Sequence, residues 1–241
     1  DLATMVAEHG DLLRPYFERR VVDANRDKFA ALNAAAWAGG ALLFPVGCDV
    51  QGSRWAAKVA SEYDDIWAAV ALHPNEAPRI HASGGLTLLE AAWREIGELA
   101  ELPQVRAIGE TGMDFFRTET SGRAIQEESF RFHIGLAKRL GKTLVVHDRD
   151  SHDDVLRILD DEGHPDVVVL HCFSGDADFA RAASERGWYL SFSGVLTFKN
   201  AAELREAAKC SPALRMAAEE LLALIRDKRA REQQHHKEAA E

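Results

Sequence analysis

Three residues with the chemistry of metal ligands follow three successive apolar segments of the chain. Glu110, His147 and His171 are each the first polar side chain after such a segment. The carboxyl ends of neighbouring parallel strands meet at one rim, so a parallel sheet would bring these side chains together. Two imidazoles and a carboxylate suit zinc, manganese or iron, and a bridging carboxylate can hold two ions. A cation held there would polarise a phosphoryl or acyl oxygen and make hydroxide available near neutral pH.

Ordinary structural roles are also open to each of these residues. A histidine after a strand usually caps a helix, packs in the core or faces solvent, and a lone carboxylate can be an ion-pair partner. Three such residues at successive strand ends are much less expected by accident, which favours a metal or catalytic site. His152 falls in the cap of a helix, and His235 and His236 fall in a charged tail, so these three are weaker candidates.

The elements that must position these residues are strands and helices in alternation. Seven apolar runs are predicted as strands, at 20–25, 41–46, 66–72, 105–109, 143–146, 167–170 and 188–192. Segments of helical spacing lie between them, at 52–63, 86–99, 124–140, 151–162 and 176–186. Continuously apolar strands that alternate with helices indicate βα units around a parallel sheet. The length of 241 residues is normal for a single α/β barrel.

Composition and charge limit the classes of partner. The net charge of −10 argues against nucleic-acid binding by a general basic surface, so phosphate would have to be attracted locally by cations and a few arginines. No apolar run approaches the roughly 18 residues of a membrane span. The first twenty residues lack a signal-peptide pattern, and three widely spaced cysteines read as reduced thiols. We therefore expect a cytoplasmic protein without membrane contact, and nothing indicates a stable protein partner.

Several short motifs carry a family resemblance. They are VGCD at 46–49, ALHP at 71–74, AIGETGMDFFR at 107–117, VHDR at 146–149, HCFSG at 171–175, GWY at 187–189 and SFSG at 191–194. With these motifs the chain resembles the TatD family of metal-dependent deoxyribonucleases from about Val21 to Pro212. The resemblance implies a TIM-type (β/α)8 barrel that hydrolyses phosphodiester bonds in DNA.

The same resemblance implies a role for each matching residue. Glu110 would be a carboxylate ligand that bridges two cations, and His147 and His171 would bind one of them, so these three form the expected catalytic and metal site. His73 and Arg149 would lie near the scissile phosphate and bind substrate. The implied cofactors are one or two divalent ions per chain, Zn, Mn or Mg, and the implied partner is DNA or another phosphodiester.

Two further residues of these motifs have expected structural roles. Asp114, at the end of the Glu110 motif, is expected to anchor the loop that follows the fourth strand. Cys172, next to His171, is expected to be a packed thiol rather than a nucleophile.

Two departures from the family's pattern affect the expected site. The family carries a His-x-His pair at the end of strand one, where this chain reads Asn25-Arg26-Asp27. It carries an aspartate at the end of strand eight, which binds metal and acts as general base, where this chain reads Ala218-Glu219-Glu220-Leu221. Because that segment has a helix-forming composition, we expect the barrel to be incomplete or distorted at strand eight.

The extent of the resemblance and these two departures predict how the chain is organised. Residues 1–20 form an N-terminal extension, residues 21–212 the metal-dependent hydrolase barrel, and residues 213–241 a C-terminal helix with a charged tail. Truncation, a frame shift or divergence would each account for the missing motifs. Two alternatives to a deoxyribonuclease stay open, a catalytically impaired or truncated barrel and a hydrolase of ester or amide bonds.

Overall fold

Strands and helices alternate through residues 44–64 and 66–209, which are the residues that this computed structural model describes. The first half comprises β1 (Val46–Gly47), α1 (Val50–Glu62), β2 (Ala68–Val70), α2 (Glu76–Ala100), β3 (Val105–Asp114) and α3 (Thr120–Leu140). The second half comprises β4 (Thr143–Arg149), α4 (His152–Glu162), β5 (Val168–His171), α5 (Ala177–Glu185), β6 (Tyr189–Leu190), a 3-10 helix (Gly194–Thr197) and α6 (Ala202–Ala207).

All six strands of the described ranges belong to one parallel sheet. Their order is β1-β2-β3-β4-β5-β6, so each strand pairs with its neighbour in the chain. Sequential parallel strands joined by helices are the arrangement of a TIM-type barrel, which confirms the predicted fold class for these units. The predicted strand at 20–25, the missing eighth strand and the segments 1–20 and 213–241 lie outside the described residues, so those boundaries remain predictions.

Strands β3 and β4 continue beyond the polar residues where we predict them to end. Thr111 pairs with Val146 and Asp114 pairs with Arg149, so both strands extend past Glu110 and the apolar runs. The pairing register shifts between Ile108 and Thr111, and the Gly109–Glu110 peptide bond is cis. The predicted ends are wrong because hydrogen bonds between the two strands continue through residues that are not apolar.

Helix α2 begins ten residues before the predicted start at Leu86. Its interior contains Gly84 and Gly85 in non-helical conformations, with φ of +67° at Gly85, so two helical segments meet there at a kink. Glycine tolerates this conformation because it has no Cβ. The prediction captures the second segment only, since a glycine pair in a sequence suggests a break rather than a kinked continuation.

The core lies between the sheet and the inward faces of the helices. Strand β2 is buried over its whole length. On α4, the buried residues Val155, Ile158 and Leu159 recur at helical spacing, which gives the helix one apolar face against the sheet. Burial of each such side chain contributes about 1.5–3 kcal/mol. No helix in the described ranges has the length and hydropathy that a membrane span requires.

Helix ends near the carboxyl rim of the sheet are fixed by local hydrogen bonds. The side chain of Asp49 accepts from the Gly52 N–H at 2.6 Å and caps α1, and Asp176 caps α5 in the same way. Asp153 and Asp154 lie in the first turn of α4, where negative charge complements the helix dipole.

Candidate metal centre

The carboxyl-terminal halves of β3, β4 and β5 bring Glu110, His147 and His171 together. The Oε1 atom of Glu110 lies 3.1 Å from Nδ1 of His147 and 2.9 Å from Nδ1 of His171. His147 and His171 are register partners in adjacent strands, which explains why their side chains stand beside each other. The three residues singled out in the sequence are thus neighbours around one carboxylate oxygen.

His73, which follows β2, also lies in this group. The candidate ligand atoms of His73, Glu110 and His147 lie within 4.8 Å of one another, and the rings of the two histidines have centroids 4.4 Å apart. His171 is not in this set of mutually close ligand atoms and lies beside it, with its Nδ1 atom 2.9 Å from Oε1 of Glu110. His73, predicted as a substrate-binding residue, therefore has the position of a possible ligand, a geometry that only the folded chain reveals.

Asp114 connects the group to the loop after β3. Its Oδ1 atom accepts from the Arg117 N–H at 2.8 Å, and its Oδ2 atom accepts from the Asn75 side chain at 3.0 Å. These bonds agree with the expected role as a loop anchor. Oδ2 also lies 3.2 Å from Nε2 of His147. A carboxylate that orients a ligand histidine in this way is common at metal sites.

The position of Asp114 beside His147 could have been predicted from the sequence if the length of β3 had been known. Side chains alternate between the faces of a strand, so residues 110 and 114 of one strand project from the same face. The signal becomes visible only once β3 is known to continue past Glu110. Although burial of Asp114 opposes ionisation, the hydrogen bonds from Arg117 and Asn75 lower its pKa. Asp114 is therefore a carboxylate near neutral pH and can hold an imidazole N–H.

The protonation states of Glu110 and His73 suit metal binding. Burial opposes ionisation of Glu110, but its close contacts with the rings of His147 and His171 lower its pKa to about 2. Burial, together with the charge of a protonated His147, lowers the pKa of His73 to about 4. At neutral pH the acid is ionised and this imidazole is neutral, which are the forms that coordinate a cation.

The surroundings of the His171 ring show whether the site can accept a divalent cation. Its Nδ1 atom is buried and has no hydrogen-bond partner, because the 2.9 Å contact with Glu110 lacks hydrogen-bond angles. Contacts with Cys172 and Glu110 raise the pKa of His171 to about 10, so its ring carries a positive charge against Glu110. A divalent cation could take the place of that proton and satisfy the nitrogen. The residues therefore fit a divalent metal ion.

Arg149 lies on the same rim, two residues beyond His147. Its guanidinium carbon is 3.7 Å from the centre of the Phe116 ring, and its carbonyl accepts from the Phe115 N–H at 2.9 Å. This placement is compatible with the predicted contact to substrate phosphate, which stays a prediction.

The expectation that Cys172 is a packed thiol is wrong. Its side chain is exposed, and its backbone has a φ of +49° directly after β5. Its Sγ atom lies 3.6 Å from Nε2 of His171. The prediction failed because the backbone of Cys172 is left-handed at the end of β5, and the sequence HCFSG at 171–175 gives no sign of that turn.

A cavity of about 870 Å³ lies beside the cluster. It is bounded by residues that follow β1, β2 and β3, among them Cys48, His73, Arg79, Arg117, Glu119 and Ile125. This volume falls in the range of pockets that bind small molecules. His73 belongs to both the cluster and the cavity wall, so a ligand in the cavity can reach the cluster.

Comparison with known proteins identifies the family. The profile described as "TatD related DNase" matches residues 16–220. An uncharacterized metal-dependent hydrolase TatD of Mycobacterium tuberculosis is 42% identical over 189 residues, which are 77% of this chain and 69% of that protein. YabD of Bacillus subtilis, described in the same words, is 39% identical over 72% of this chain and 65% of its own length.

A third relative carries a more specific name. The 3'-5' ssDNA/RNA exonuclease TatD of Escherichia fergusonii is 31% identical over 81% of this chain and 72% of its own length. The chain thus spans about two thirds of the length of these three relatives.

Solved structures agree on the fold. The crystal structure of YJJV, a TatD homologue from Escherichia coli, superposes with a TM-score of 0.66 at 23% identity, over 77% of this chain and 69% of that one. At this identity the likeness concerns the fold alone. The family profile and the relatives together show that the chain belongs to the TatD-related DNase family of metal-dependent hydrolases.

Proposed function

We propose that the protein is a metal-dependent phosphodiesterase that cleaves DNA, acting on the ends of strands. The observation that carries this proposal is the convergence of Glu110, His147 and His171 around one carboxylate oxygen. The exonuclease name of the Escherichia fergusonii relative supports a nucleic-acid substrate. Unpaired Cys48 and Cys172 support a cytoplasmic location, since reduced thiols are typical of the cytoplasm.

The metal ligands in this proposal are Glu110, His147 and His171, with His73 beside them. They would hold one or two divalent ions, zinc, manganese or magnesium. When bound, such an ion polarises a phosphoryl oxygen and lowers the pKa of a coordinated water. Asp114 keeps the His147 ring oriented through its contact with Nε2, so that ring is already in place when substrate arrives.

Substrate attraction has to be local on a chain with a net charge of −10. Arg149 lies two residues beyond His147 in the sequence, and its guanidinium can donate charge-assisted hydrogen bonds to phosphate oxygens. Arg117 in the cavity wall is a second cation on the same rim. Phosphate binding through these two arginines and the bound cations is compatible with the acidic surface elsewhere.

The direct test is cleavage of a short 5'-labelled single-stranded DNA with Mn²⁺, Zn²⁺ or Mg²⁺ and with a chelator. We expect metal-stimulated cleavage, reduced about 100-fold or more in Glu110→Gln, which removes the charge but keeps the shape. Glu90→Gln is the matched control, because Glu90 is exposed on α2. Full activity in Glu110→Gln or in the chelator would refute the proposal. Preferred turnover of carboxylic esters or amides would instead identify the protein as a hydrolase of those bonds.

A further inference from the structure

Phe116 exposes an aromatic ring at the rim where ligands of this fold bind. Phe116 is 62% exposed and lies two residues after the end of β3. Single exposed apolar side chains are common on protein surfaces, so the exposure of Phe116 matters only because of where the ring lies and what it contacts. One face of the ring is covered by the guanidinium of Arg149, at 3.7 Å from the ring centre.

The Phe116–Arg149 pair lies close to the candidate metal centre. Arg149 is two residues beyond His147 on β4, which corresponds to about 7 Å along a strand. Asp114, which contacts His147, is the register partner of Arg149, and the Phe115 N–H bonds to the Arg149 carbonyl. The stacked pair is therefore built on two paired strands rather than on a free loop.

The contact restricts the conformations of the Phe116 and Arg149 side chains and leaves part of each accessible to a ligand. The guanidinium lies over the ring, and its N–H groups can still bond to a phosphate oxygen. An aromatic face beside a phosphate-binding cation is the combination that single-stranded nucleic-acid sites use, because every base has a stacking face.

We propose that Phe116, held by Arg149, is a stacking platform for an unpaired nucleobase next to the scissile phosphate. This inference rests on the proposed function and deepens it, since it specifies a single-stranded substrate that carries a base at this position. Bases in a duplex are stacked on each other, so a duplex end would have to fray before its base reaches Phe116. Because the contact is stacking, it tolerates all four bases.

Equilibrium binding tests the platform without turnover. Anisotropy of a labelled thymidine hexanucleotide is compared with that of an abasic strand of the same length, in Ca²⁺. Phe116→Ala should weaken binding of the hexanucleotide about 5- to 100-fold and leave the abasic strand unchanged. Phe116→Trp should retain affinity. Tyr189→Ala is the matched control, since Tyr189 is also 62% exposed, and it should change neither affinity.

The outcomes separate this inference from the proposed function. Equal loss of affinity for both strands in Phe116→Ala, or no loss for either, would overturn the platform. If the protein binds the hexanucleotide through Phe116 but cleaves it with none of the three metals, the platform stands and the proposed function fails. If Phe116→Ala binds and cleaves the hexanucleotide as the unchanged protein does, the proposed function stands and the platform fails.

Discussion

His133 is a fully buried histidine that links α3 to the end of β2. Its Nδ1 atom lies 2.7 Å from the Ser129 carbonyl, and its Nε2 atom accepts from the Leu72 N–H at 3.2 Å. These partners require a neutral ring with its proton on Nδ1, because one is an acceptor and the other a donor. Burial lowers the pKa of His133 to about 4, against a weaker opposing effect of the Ser129 bond. Since Leu72 precedes His73, this bond also fixes the strand end that presents His73.

Replacing His133 by leucine should destabilise the protein by an amount that depends on pH. At pH 7 the variant leaves the buried Leu72 N–H without a partner, which costs about 1–3 kcal/mol. In the unchanged protein, the stability contributed by the neutral ring is fully present above pH 6.5 and is lost as the pH falls from 6.5 towards 4. With those two pKa values, the loss between pH 7 and pH 5 is about 2 kcal/mol.

Urea unfolding of both proteins at pH 7 and pH 5 measures this effect. The difference in unfolding free energy between the two proteins cancels the titration of all other groups. We expect that difference to shift by about 2 kcal/mol in favour of the leucine variant between pH 7 and pH 5, because only the unchanged protein has an imidazole at this position to protonate. An identical difference at both pH values would refute the conclusion that His133 is held neutral in the fold.

Two further predictions concern the support of the candidate site. Gly112→Ala should destabilise the fold by about 3 kcal/mol or more, seen as a lower thermal midpoint, because φ is +132° and the new Cβ would lie 2.0 Å from the His147 carbonyl oxygen. An unchanged midpoint would contradict that clash. Asn75→Ala removes the 3.0 Å bond to Asp114 and should weaken Mn²⁺ binding about 10- to 100-fold by calorimetry. An unchanged Mn²⁺ affinity in Asn75→Ala would show that metal binding does not depend on the hydrogen bond from Asn75 to Asp114.

Much of the fold follows from the pattern of apolar residues. Strands such as β5 are buried between helices, so they appear in the sequence as short apolar runs in nearly the right place. The continuation of β3 to Asp114 does not appear, because Thr111 and Gly112 have no apolar pattern and are held by pairing with β4. Tertiary hydrogen bonds, rather than local preference, decide where that strand ends.

Some features of the candidate site can be predicted from the sequence, and others cannot. The meeting of Glu110, His147 and His171 could be expected, since parallel strands deliver their carboxyl ends to one rim. The contact of Asp114 with His147 and the closeness of His73 could not, because they depend on strand length and on distances across the sheet. The stacking of Arg149 on Phe116 joins residues 33 positions apart and likewise has no local signal.

A crystal structure with Mn²⁺, using anomalous scattering to locate the ion, would show whether Glu110, His147 and His171 form a metal centre. We expect an anomalous peak about 2.0–2.3 Å from an oxygen of Glu110 and a ring nitrogen of His147 or His171. We also expect the peak to disappear in Glu110→Gln crystals soaked in the same solution. A Mn²⁺ peak elsewhere, or a peak at this position that persists without the Glu110 charge, would contradict a metal centre built on these three residues.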